Sequence, residues 1–238
     1  LKEKKDCWTG IKNQKTKKAP KFLYRFSLSL ESYRNFLNIL IMKIPAITFL
    51  FLLGLSVTAQ QKQDILPTEI QIKTAGLPAP EEDRAAAMVY GYDESGKMVV
   101  LREGTNNMVC LADDPSKKGI NVSCYSKKLE PFMKRGRELQ AAGSDMMSIR
   151  EIRKQEVEAG TLEMPDAPSM LYILSGDDEN YNKETGELSD SYFRYVIYTP
   201  FATTESTGLP DKPHAPGMPW LMDPGTHRAH IMVTPEKN

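Results

Sequence analysis

Long apolar runs are scarce in this chain, and the scarcity limits what it can be. The apolar run Ile44 to Ala59 has 16 residues with Pro45 near its start, short of the ~20 that a membrane-spanning helix needs. Extending it back through Phe36 to Met42 would put Lys43 inside the bilayer, where a charge is costly. Histidine is also rare, with three in 238 residues. Any imidazole chemistry near neutral pH is therefore confined to His214, His227 and His230. No G-x-S-x-G nucleophile turn occurs, which removes one hydrolase signature. No repeated-glycine phosphate cradle occurs either. The acidic run Asp177-Asp178-Glu179 lacks the spaced oxygen ligands of a calcium loop. No internal repeat is present.

The apolar run fits an export signal better than an anchor. Lys43 gives a short positive start, Ile44 to Leu55 the apolar stretch, and Val57-Thr58-Ala59 a small-residue cleavage site. We therefore read 42–59 as a signal peptide, leaving no stable membrane anchor after cleavage and a periplasmic or secreted location. Residues 1–41 carry ten Lys/Arg against three Asp/Glu and read as an over-extended leader.

Beyond Ala59 the charge balance changes. The whole chain is formally neutral, but from Gln60 onward it holds 20 Lys/Arg against 28 Asp/Glu. An acidic surface disfavours nucleic acid and anionic lipid as partners. Of three cysteines, Cys110 and Cys124 lie past the signal, and an even pair in an oxidising compartment reads as one disulfide.

Periodicity points to an α+β fold, a largely antiparallel sheet with two central helices and one disulfide. Residues 60–82 are polar and proline-bearing and read as a flexible segment with one alternating patch, Ile70-Gln71-Ile72. A single domain is expected over 83–238. Its first hairpin joins Val89–Tyr92 to Lys97–Arg102 through Asp93-Glu94-Ser95-Gly96. Short strands follow at Met108–Ala112 and Ile120–Tyr125, each placing its cysteine on a defined face. Lys127–Ala142 has helical spacing, with Pro131 tolerable in the first turn and Gly143 as stop. A second helix starts from Ser144 or Asp145 and ends at Gly160. Met170–Leu174, Ser191–Thr199 and Arg228–Thr234 read as strands, with loops at 176–188 and 200–225.

Three candidate sites emerge. His227 and His230 have a His-x-x-His spacing used for metals. A strand would put them on opposite faces unless His227 lies in the preceding turn. His230 shares its face with Met232, and an imidazole beside a thioether suits copper, while the histidine pair suits zinc. The ordinary reading is a hydrogen-bonded core histidine with methionines filling gaps. Gly104-Thr105-Asn106-Asn107 offers backbone freedom and polar groups for a small ligand, though these are also common turn formers. His230 or His227 as general base would make the protein a hydrolase.

The segment GTNNMVCLADDP, the second cysteine Cys124 and the closing HRAHIMV together resemble a group of exported bacterial proteins of uncharacterised function. The likeness spans about residues 85–235. It implies export and a small α+β domain, and it brings no catalytic residues with it. The functional expectation is a small-ligand or metal-binding domain using Gly104, Thr105, Asn106, Asn107, His230 and Met232, with His227, His230 and Met232 as metal ligands. A hydrolase and a structural or interaction module are the alternatives.

Overall fold

The computed structural model describes residues 64–236; the leader and signal segments lie outside the described residues. The strongest organising force is alternation along the strands. In β3 (Met108–Leu111), Val109 and Leu111 face one core while Cys110 faces the other. In β4 (Ile120–Ser126), Tyr125 faces the first core, and Val122 and Cys124 the opposite side. A sheet buried on both faces needs helices or loops on both, and the chain supplies them.

Eight strands form the main sheet. With β1 (Met88–Tyr92), β2 (Met98–Arg102), β5 (Ser169–Gly176), β8 (Ser191–Tyr198), β9 (Trp220–Met222) and β10 (His230–Val233), the order is β2-β1-β3-β4-β5-β8-β10-β9. Only β1 and β3 run parallel; the other neighbours are antiparallel. A two-stranded ribbon, β6 (Tyr181–Asn182) and β7 (Glu187–Leu188), stands apart within the 176–188 segment. The α+β expectation therefore holds, and Met170–Leu174 lies in a central strand.

Helices α3 (Glu130–Ala141) and α4 (Met146–Glu158) contact each other. Pro131 falls in the first turn of α3, where its missing N–H costs nothing. Asp145 caps α4 by accepting from the Met147 and Ser148 amides at 2.8 and 3.0 Å. Leu129, Phe132, Leu162, Leu171, Val196, Tyr198 and Met232 bury the face they share.

The other face corrects the sequence reading. In the segment read as flexible, the alternating patch Ile70-Gln71-Ile72 is helical: the described residues 64–82 hold α1 (Thr68–Gly76) and the start of α2 (Glu81–Arg84). The buried positions of α1 are Gln71, Thr74, Ala75 and Gly76; the first three have helical spacing, and all four are polar or small. Gln71 locks the helix to β1: its amide donates to the Leu66 and Tyr92 carbonyls and accepts from the Tyr92 N–H, all at 2.8–2.9 Å. Ala75 and Ala79 then pack over Val89 and the Cys110–Cys124 disulfide. The segment 200–225, expected to be a loop, also holds a one-turn helix α5 (Thr204–Thr207) and the edge strand β9.

Candidate functional site

The loop Gly104–Asn107 has a structural task. The end of β2 pairs with the start of β1 (Arg102 opposite Val89), yet β3 must begin beside Met88 on the far side of β1. The chain therefore has to pass closely beneath the start of β1. A Cβ at Gly104 would collide with the Met88 backbone. The Thr105 and Asn106 amides both donate to the Ala86 carbonyl at 2.8 and 3.3 Å. Asn106 donates to the Asp83 carbonyl and accepts from Met108 N–H, while Asn107 accepts from Lys127 N–H. These groups are committed to the fold.

The C-terminal histidines are also largely absorbed. His230 is buried and stacks on Tyr198 with centroids 5.2 Å apart. Its Nδ1 lies 2.6 Å from the Arg228 carbonyl, which can only accept, so Nδ1 carries the proton. His227 is buried edge-on against Phe132 at 5.8 Å, its Nε2 without a partner among the described residues. Burial, first among the causes, lowers the pKa of both imidazoles. Met232 belongs to the core, and exposed His214 lies in the loop with Met218 and Trp220. Among the described residues no group of three or more His, Cys, Asp or Glu is placed to hold a metal ion. Neither buried imidazole hydrogen-bonds a serine, threonine or cysteine among those residues.

The loop and the last strand do share one end of the sheet. Val109 aligns through Tyr125, Leu171 and Val196 with Met232. Four strand spacings separate them, ~19 Å at about 4.8 Å each. One small ligand does not span that distance, so Gly104–Asn107 and His230–Met232 do not form a joint site.

A different site is present on the α1 face. A cavity of about 390 Å³ lies between α1, the β3–β4 connection and the segment 178–183. Leu66, Ala112 and Ile120 give it apolar walls, and Tyr92, Asp113, Asp178 and Tyr181 give it polar ones. Tyr181 is buried, and its hydroxyl shares a 2.7 Å hydrogen bond with Thr74 of α1. Asp113 accepts from Asn121 N–H at 2.7 Å and Asp178 from Gly119 N–H at 3.0 Å. Burial, followed by the nearby Asp114 and Asp178 carboxylates, pushes the Asp113 carboxyl up to about 6. Burial raises the Tyr92 phenol far above its ordinary range as well, helped by Asp114 and Asp113. A half-buried acid with a raised pKa in an apolar-walled cleft makes this the candidate functional site.

The sequence reading missed this site because its acids, Asp113 and Asp178, come from segments taken for loops and its α1 wall from one taken as flexible. One signal was available. Asp113-Asp114 precedes β4 and Asp177-Asp178 follows β5, and antiparallel pairing sets Ile120 opposite Gly176. The two acidic pairs had to meet once those strands paired.

The raised Asp113 pKa has a testable consequence. The fold favours the neutral acid, so ionisation costs stability as pH climbs from the unfolded value of 3.8 through about 6. Asp113→Asn should therefore stabilise the protein at pH 8 by about 1 kcal/mol, a figure discounted for solvent reaching the group. The gain should vanish below about pH 4. Urea unfolding of both proteins across that range measures it; an equal gain at every pH would show that the carboxyl is not perturbed.

No helix among the described residues is long and apolar enough to cross a membrane. No family model matches the chain, and neither the curated proteins nor the solved structures include a significant match.

Proposed function

We propose that the protein is an exported small-ligand-binding domain whose ligand occupies the cleft between α1, the β3–β4 connection and the segment 178–183. The observation that carries this reading is the half-buried Asp113 carboxyl in a cavity of about 390 Å³. Such a volume falls within the range of small-molecule sites. Fully ionising that carboxyl works against the fold, and a chain selected for stability alone has cheaper residues at that position. Export draws support from the signal-like segment at 42–59 and from a fully buried disulfide, which persists in oxidising compartments. The resemblance to exported bacterial proteins belongs with the same reading.

Two measurements test it. In cells, the periplasmic or secreted fraction should hold a chain beginning at Gln60; an uncleaved cytoplasmic chain would remove the location. On the purified protein, amide chemical shifts recorded against a fragment library should move at Ala112, Lys117, Ile120 and Tyr181. A library that leaves all four still while moving other surfaces would place the ligand elsewhere.

A further inference from the structure

The charges in the cleft do not cancel. Two lysines line it, and each has an acid of its own: Lys117 pairs with Asp114 at 2.8 Å and Lys183 with Asp64 at 2.9 Å. Asp113 and Asp178 remain. Each gives an oxygen to a backbone N–H, and neither forms a salt bridge with any described residue. Between them the cavity is lined by apolar Leu66 and Ile120 and by the rings of Tyr92 and Tyr181. The Tyr92 hydroxyl has no hydrogen-bond partner among the described residues. Among the described residues the cleft thus has acceptors to spare and no free cation.

Resting on the cleft being a ligand site, we propose that its ligand is an organic cation: an ammonium group held by Asp113 and Asp178, on an apolar or aromatic body packed against Tyr92, Tyr181 and Ile120. Three alternatives fit less well. An anion would face four carboxylates, Asp64, Asp113, Asp114 and Asp178, against two ammonium groups, and the balance repels it. A neutral molecule would strip water from the half-buried Asp113 carboxylate without replacing it. A calcium ion wants six to eight oxygen ligands, whereas among the described residues no group of three or more acids, histidines or cysteines is placed for a metal. An ammonium needs only a few acceptors and a ring face, which attracts cations through its quadrupole.

Binding should follow the ionisation of Asp113. The groups facing it are Asp114, Asp178, Asp64, Lys117, Lys183, Tyr92 and Tyr181. The Asp64 carboxylate hydrogen-bonded to Lys183 raises that lysine's pKa further, so it stays charged across the range tested. Asp113, with its carboxyl pushed to about 6, is the one that changes most between pH 8 and pH 5.

Three probes share one phenol body: tyramine carries an ammonium, 3-(4-hydroxyphenyl)propionate a carboxylate, and 4-ethylphenol no charge. Each is titrated into the purified protein, with affinity and amide shifts read together. Tyramine should bind most tightly and move the Gly119 and Asn121 amides that serve the two carboxylates. Asp113→Asn and Asp178→Asn should each weaken it about tenfold. In the unsubstituted protein its affinity should fall about tenfold from pH 8 to pH 5, a readout that needs no variant. That pH dependence should disappear in Asp113→Asn.

Tyramine binding unchanged by both variants and by pH overturns the proposal. The neutral or anionic probe binding the cleft as tightly as tyramine also overturns it, while leaving the cleft a ligand site. Failure of all three to move the cleft amides removes the cation and counts against the cleft itself. Shifts at Gly119 and Asn121 with calcium chloride but not with tyramine would replace the organic cation by a metal.

Discussion

Phe132→Ala is expected to destabilise the protein by about 3–5 kcal/mol. At 2–4 °C per kcal/mol for a chain of this size, the melting temperature should fall by roughly 10 °C. The ring is 1% exposed and stands where α3 meets the sheet. Tyr198 meets its edge at 6.0 Å and His227 at 5.8 Å. The Arg153 guanidinium from α4 lies 3.9 Å from the ring centre and donates to the Phe132 carbonyl at 3.2 Å. Truncation would therefore do more than leave an apolar void. It would strip the face from a buried cation whose Nε already lacks a partner, and burial has lowered that arginine's pKa. Phe132→Leu separates the two effects: it keeps most of the volume and loses only the cation–π contact and the ring edges, for a cost of about 1–2 kcal/mol. Urea unfolding with an unchanged m-value measures both. A loss under 1 kcal/mol for the alanine variant would mean that the core between α3 and the sheet is not packed as described.

The same region shows why part of the fold was legible in the sequence. A one-residue slip in a strand turns every core side chain outward, so β3, β4, β5 and β8 had to write their alternation in apolar residues. Helices α3 and α4 end in glycines with positive φ, Gly143 and Gly160, and α4 begins at its Asp145 cap. Those signals are local and readable. Helix α1 has no such signal. Its inward face is Gln71, Thr74 and Ala75, and its two isoleucines, Ile70 and Ile72, sit one residue apart in the manner of a strand. What makes it a helix is tertiary: the Gln71 amide satisfies backbone groups of Leu66 and Tyr92 that would otherwise be left over.

The candidate site was less legible than the fold, for a related reason. Its walls come from 64–66, α1, Tyr92, 112–120 and 178–183, and none of these segments carries chemistry alone. Asp113 reads as a turn former until Asp114 and Asp178 are placed beside it. The residues that did look chemical, the histidines and Gly104–Asn107, were conspicuous for other reasons. His230 is an acceptable core residue because the Arg228 carbonyl accepts a hydrogen bond from its protonated Nδ1. Gly104 is glycine because the chain must cross the start of β1. Rarity and loop composition marked these positions, and packing explains them.

Removing the disulfide with a Cys110→Ala/Cys124→Ala double substitution should cost ~3 kcal/mol in the chain-entropy account, a fall in melting temperature of about 6–12 °C. Cys110 and Cys124 face each other directly across β3 and β4, 14 residues apart and both fully buried. The chain they close, from 111 to 123, carries Ala112, Asp113, Pro115, Lys117 and Ile120, which form one wall of the cleft. Ala75 of α1, whose neighbour Thr74 holds Tyr181, packs over the bridge itself. The cross-link therefore fixes the cleft wall from its base, and its loss should loosen the site as well as the fold. The expected result is faster amide exchange from Asp113 to Gly119 than in α3, and weaker binding of the tyramine probe, even at temperatures where the double variant remains folded. Equal exchange in both places would mean that the bridge stabilises the protein globally and leaves the cleft to hold its own shape. Localised loosening would make the oxidised state of Cys110 and Cys124 a condition for the cleft to keep its shape.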